Sequence, residues 1–260
     1  MNQLTGRCMF IWKLLPVVAA EIDLATFTKK VRKAKLSGIW IKVGDGRAEH
    51  TNVNAANVGL FNEVVKRMHD AGVSVWGWHV PICPTEAIAR QEAALACRLV
   101  ERLRLDGLLC DAEAGDAYFK GGPAEATEYA RATREGLDSL GAGFAVCSHD
   151  IPANFPRFPF TEFARHASQN APQVYYGSSP SVENRLERAI AANASVEIPM
   201  VPVGAAWVGD AGGCESPSAS AERARAFIRL VHEHGFPGYS FWHWMGAPAK
   251  FWEVLFTTPA

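Results

Sequence analysis

Charge of one sign is scarce in this sequence: 26 Lys and Arg face 27 Asp and Glu across 260 residues, leaving a net charge of -1. With no run of three basic residues, it lacks the electrostatic footprint of a nucleic-acid partner. It also lacks the roughly 20 uninterrupted apolar residues of a membrane span. The six cysteines, Cys8, Cys83, Cys97, Cys110, Cys147 and Cys214, form no CxxC pair. Several fall in apolar patterns, where a thiol acts as a small hydrophobe, so they are read as reduced and structural. No GxGxxG loop follows the first apolar run, which argues against a dinucleotide fold. No HExxH is present, and no cofactor is expected. From Arg7 to Ala20 the chain has the outline of a secretory signal, but Lys13 interrupts its apolar stretch. The expectation is a first strand there and no recognisable export signal, hence a cytoplasmic protein or one released by a non-classical route.

The sequence does contain alternation. Short apolar runs at 8–14, 38–43, 73–79, 107–113, 143–149, 173–176, 198–203 and 238–244 are separated by helix-like segments at 24–36, 55–71, 85–105, 124–140, 159–169, 181–193 and 220–233. Strands that alternate with helices pair in parallel through crossovers. Eight such units in this length match one closed (β/α)8 barrel spanning 1–260. Gly38, Gly72, Gly107 and Gly235 stand where a helix stops before a strand, which supports the register. An open doubly wound sheet is the alternative.

The fourth run carries the most chemistry. In Asp106-Gly107-Leu108-Leu109-Cys110-Asp111-Ala112-Glu113, residues of like parity share a face, so Asp111 and Glu113 point the same way, roughly 7 Å apart along the strand. Desolvation and like charge both raise the proton affinity of such a carboxyl, which is how a general acid is made. In a barrel, active-site groups end the strands. Here those positions hold Trp12 and Lys13, then Lys42 and Asp45, Trp76, Trp78 and His79, His149 and Asp150, Tyr175 and Tyr176, Trp207, and finally Trp242, His243 and Trp244. Indole faces beside hydrogen-bonding groups suit sugar rings, so a carbohydrate substrate is expected. Part of this aromatic set is expected simply to fill the barrel.

Residues Asp106 to Glu113 resemble the strand-four signature of the chitinase-like family 18 glycoside hydrolases, Asp-Gly-x-Asp-x-Asp-x-Glu, with Leu109 where the middle Asp is expected. The shorter Asp-x-Glu is also similar to the family 25 lysozymes, whose first strand carries an Asp where this chain has Lys13. The resemblance implies a barrel glycosidase acting on N-acetylhexosamine-containing polymers such as chitin or peptidoglycan. Glu113 would then be the acid/base and Asp111 the orienting carboxylate. Tyr175 or Tyr176, with Trp242 or Trp244, would fill the family's tyrosine and tryptophan places. Two other readings stay open. One is a metal hydrolase using His79, His149 and His243 with the carboxylates. The other is a barrel that binds glycans without cutting them.

Overall fold

The computed structural model describes residues 3–260 and is a closed barrel. Strand β1 (Gly6–Ile11) pairs in parallel with both β2 (Gly38–Asp45) and β9 (Gly238–Trp242), which closes the ring. Between them run β4 (Ser74–Val80), β5 (Gly107–Asp111), β6 (Gly143–His149), β7 (Gln169–Val174) and β8 (Val203–Ala205), each parallel to its neighbours. A two-residue strand, β3 (Ala48–Glu49), folds back antiparallel on the end of β2. The expected (β/α)8 barrel is therefore the observed fold.

Side-chain parity divides the core into two layers. Inside the barrel, Phe10, Trp40, Trp76, Trp78, Leu109, Ala145, Cys147, Ala171 and Val203 pack together. Outside it, the opposite faces of the same strands meet the helices, as Leu108, Cys110 and Ala112 do on β5. Trp40 and Trp76 meet edge to face at 5.1 Å, and the Trp40 indole N–H donates to Ser240 Oγ at 2.8 Å. Gly107 begins β5 because a Cβ there would lie 2.5 Å from the Trp76 ring.

Three expected boundaries move, each for a physical reason. The sixth run begins at Gln169 rather than residue 173, and its polar opening residues conceal a strand. Gln169 holds both backbone groups of Leu4 at 2.8 Å, and Asn170 Nδ2 donates to Asn193 Oδ1 at 2.8 Å. The seventh run, expected at 198–203, contributes only Val203–Ala205. Pro199 and Pro202 cannot donate to a ladder; their carbonyls accept instead, from Asn170 N–H at 2.9 Å and Ser240 N–H at 3.0 Å. The first run stops at Ile11, and helix α1 (Leu14–Ala20) takes over, burying Leu14, Val17 and Val18. Thus the stretch that resembled a signal's apolar core packs into this fold. No helix among the described residues is long and apolar enough to cross a membrane.

Helices α2 (Leu24–Lys33), α3 (Val58–Asp70), α4 (Glu86–Leu103), α5 (Pro123–Leu140), α6 (Phe160–Ala164), α7 (Val182–Ala192), α8 (Pro217–Glu233) and α9 (Ala249–Thr257) surround the sheet. Ring contacts among Phe227, Tyr239, Phe241 and Phe251 tie α8 and α9 to β9. All six cysteines are free thiols, and all but Cys97 are buried.

Candidate active site

The C-terminal ends of the strands surround a cavity of about 570 Å³. Asp111 and Glu113 both line it, as their shared parity requires. Lys42, Trp78, Tyr175 and Trp242 line it from neighbouring strands, together with Trp12, His149 and Trp207. The Trp78 and Trp242 rings stack at 5.0 Å, while Tyr175 and Trp207 meet edge to face at 5.0 Å. The Lys42 ammonium lies 5.3 Å from the Trp78 ring centre and 2.6 Å from Asp45 Oδ1.

Of the expected strand-end residues, Lys13 and His243 do not line the cavity, and five more are elsewhere, most of them because of parity. His79 follows the inward Trp78 on β4 and so points outward; it is fully buried between Tyr129 Oη and the Gly46 carbonyl, both at 2.8 Å. Because a carbonyl only accepts, Nε2 carries the proton and Nδ1 accepts from the tyrosine. Tyr176 alternates with Tyr175 in the same way, donating to the Ala205 carbonyl at 2.9 Å and packing on Phe227. Asp150, one residue past His149, is ion-paired with Arg185 at 2.6 Å. Trp244 sits in the helix layer, 4.8 Å from the Phe27 ring, with its N–H on Glu21 at 3.0 Å. Asp45 pairs with Lys42 but does not line the cavity itself. The His79, His149 and His243 set does not converge, and among the described residues no three His, Cys, Asp or Glu side chains gather into a metal-holding group.

Sequence reasoning missed Gln173, Tyr118 and Cys147. Gln173 Nε2 donates to Glu113 Oε1 at 2.9 Å and approaches Asp111 Oδ1 at 3.5 Å and Cys147 Sγ at 3.8 Å. One amide thus spans the two carboxyls. Two-residue parity within the run at 173–176 already puts residue 173 on the same inward face as residue 175, but its polar side chain gave no mark of a site role. Tyr118 comes from the loop after β5, where no periodicity marks it.

Burial, and then the negative charge of Glu113, hold the Asp111 carboxyl well above the usual carboxylate range, against a smaller opposing pull from Lys42. The Tyr118 hydroxyl is pushed up to about 12, chiefly by Glu113. Burial pushes the Cys147 thiol up as well, with the two carboxylates adding to the effect. Asp111 is therefore the member of the pair whose protonated form the site favours.

A stability prediction follows from Asp111. Its folded form binds a proton that the unfolded chain has already lost above the ordinary carboxyl range. Stability must therefore fall as pH rises from that range up to the raised folded value, and level off beyond it. Asp111→Asn removes this slope. Thermal melts of the variant should lie above wild type at pH 8 and converge with it near pH 4. A wild-type advantage at pH 8 would show that the carboxylate is stabilised in place.

No known protein family matches the chain by sequence, and no curated protein matches it. Solved structures do. A chitinase from Chromobacterium violaceum ATCC 12472 superposes with a TM-score of 0.62 at 12% identity, covering 97% of this chain and 98% of that one. A GH18 chitinase from Cycas revoluta, in complex with (GlcNAc)3, gives 0.68 at 10% identity, with 96% and 98% covered. An endo-beta-N-acetylglucosaminidase from Cordyceps militaris gives 0.63 at 12%, with 99% and 92% covered. These comparisons agree with the family 18 side of the sequence resemblance and give no support to the lysozyme side. At such low identity they establish a shared architecture: over nearly all of its described length, this chain has the barrel fold of the GH18 chitinases.

Proposed function

We propose that the protein is a glycoside hydrolase acting on β-linked chains that contain N-acetylglucosamine, with Glu113 as general acid/base and Asp111 as orienting carboxylate. The observation that carries this reading is the carboxyl pair, bridged by the Gln173 amide and projecting into a cavity walled by Trp78, Tyr175, Trp207 and Trp242. Its fold neighbours add weight, since the Cycas revoluta chitinase was solved with (GlcNAc)3.

In the proposed reaction a sugar sits on the indole faces with its acetamido group toward Asp111. A proton held by the Asp111 carboxyl passes to Glu113 as Asp111 accepts the acetamido N–H. Glu113 then gives its proton to the glycosidic oxygen while the acetamido oxygen attacks the anomeric carbon; the old C–O bond breaks and the leaving sugar departs with its new hydroxyl. The resulting oxazolinium is opened by water, whose proton returns to Glu113. The Tyr175 hydroxyl, kept protonated because burial raises its pKa strongly, donates to the acetamido oxygen and fixes its angle of attack.

Leu109 packs into the barrel interior below Asp111, so no second carboxylate lies beneath it on the strand. The lateral Gln173 contact is the polar neighbour left to Asp111 on that side. A turnover assay on chitin oligomers, peptidoglycan and aryl N-acetylglucosaminides tests the function. Reducing ends should appear with the N-acetylated substrates. Saturable binding of the same oligomers with no new reducing ends would instead assign the cavity to a glycan-binding barrel.

A further inference from the structure

The N–H of Ala114, the residue after Glu113, donates to His149 Nε2 at 3.1 Å. A backbone N–H can only donate, so Nε2 must be the bare nitrogen of a neutral ring whose proton sits on Nδ1. The bond occupies a critical point on the chain. β5 makes its last ladder bond at the Ala112 N–H, to the Cys147 carbonyl at 2.8 Å, and the loop is next tied down by the Phe119 N–H on the Glu113 carbonyl at 3.3 Å. The imidazole is itself pinned, stacked on Phe155 with ring centres 3.7 Å apart and edge-on to Phe158 at 6.5 Å.

We propose that His149 is a positioning residue for Glu113: its neutral ring latches the peptide that carries the acid, and protonation of the ring releases that peptide. This rests on the reading of Glu113 as the acid. An imidazolium has no lone pair for Ala114, because both of its nitrogens donate. The charged groups around the ring are Glu113, from the β5 loop, and Asp150, the next residue along the chain and already held by Arg185; the 155–158 segment presents Phe155 and Phe158, with Arg157 between them lining the neighbouring cavity that Ala114 shares. Burial outweighs Glu113, Asp150 and a backbone contact with Ala114, each of which favours the charged ring, and lowers the pKa of the ring from its ordinary value. The latch is thus closed at neutral pH and opens as the pH falls through that lowered value.

Amide hydrogen exchange tests the latch without any substrate, and steady-state kinetics then tests its use. In the wild type, the protection factor of the Ala114 amide should be at least about tenfold over an unprotected amide at neutral pH and be lost as the ring protonates. His149→Phe keeps the stack but has no acceptor, so protection should be absent at every pH. It should lower kcat about tenfold with KM changed less than about twofold, since a sub-ångström to 1 Å displacement of a catalytic group acts on the chemical step. His149→Gln offers a carbonyl acceptor that does not titrate; it should recover most of that loss and hold its protection into acid. Ala114 protection that ignores ring protonation, or a His149→Phe effect that falls on KM rather than kcat, would overturn the latch. The exchange result stands whether or not the protein cuts glycans, so failure of the latch and failure of the glycosidase reading are told apart.

Discussion

Glu113→Gln should lower kcat on an aryl N-acetylglucosaminide by about 10³-fold, within the 10²- to 10⁴-fold that general acid–base catalysis ordinarily contributes. The substitution is nearly isosteric, and the Gln173 amide can still donate to the remaining side-chain oxygen, as it does to Glu113 at 2.9 Å. Fold and oligosaccharide affinity should therefore survive, with thermal melting and ligand titration close to wild type. The loss should exceed that from removing any one pocket aromatic. Trp78, for instance, shares its stacking role with Trp242, so the pocket keeps an indole wall without it. A variant retaining more than about a tenth of the activity would move the acid role to another group.

Asp111→Asn separates neighbouring-group catalysis from attack by water or by a protein nucleophile. If Asp111 orients the acetamido group, the variant should slow N-acetylglucosaminide cleavage by about 10²-fold, comparable to loss of one preorganised hydrogen-bonding partner in other sites. A thiazoline mimic of the cyclised intermediate should inhibit the wild type and bind the variant more weakly. Glucosides without the acetamido group should hardly react, because an intramolecular nucleophile is worth an effective concentration of about 10⁵ M or more. Efficient glucoside cleavage with no thiazoline inhibition would remove substrate assistance and leave the same carboxyls in a direct displacement. The stability effect of this substitution has the opposite sign to its catalytic one: the raised proton affinity of Asp111 weakens the fold at high pH, while the proposed reaction uses its carboxyl.

Period and parity made much of this legible in the sequence. Alternating apolar runs dictated parallel pairing, and the strand count dictated closure, so the barrel could be read from pattern alone. The Asp111 and Glu113 pair followed from two-residue spacing at the end of a buried strand, with Leu109 two residues below on the same inward face. The errors arose where parity was not carried through. Trp78 with His79, and Tyr175 with Tyr176, are adjacent residues on extended chain, so only one of each pair can face the cavity. Hydropathy could not choose between them, because the outer helix layer buries an aromatic ring as readily as the barrel does. Gln173 escaped because a glutamine inside an apolar run carries no mark of its role, and the true start of the strand escaped because the buried amides of Gln169 and Asn170 are matched by partners distant in sequence. Tyr118 escaped because it reaches the cavity from a loop, where position depends on tertiary ties such as the Lys120 N–H on the Ile82 carbonyl at 2.8 Å.

The most direct measurement of the central claim is the anomeric configuration of the first sugar released from a β-linked N-acetylglucosamine oligomer, followed by proton NMR faster than the sugar mutarotates. Two successive displacements at the anomeric carbon, the first by the acetamido oxygen and the second by water under Glu113, require the β-anomer first, with the α-anomer growing in only at the spontaneous rate. An initial α-anomer, or no product from an oligomer that demonstrably binds the cavity, would contradict it.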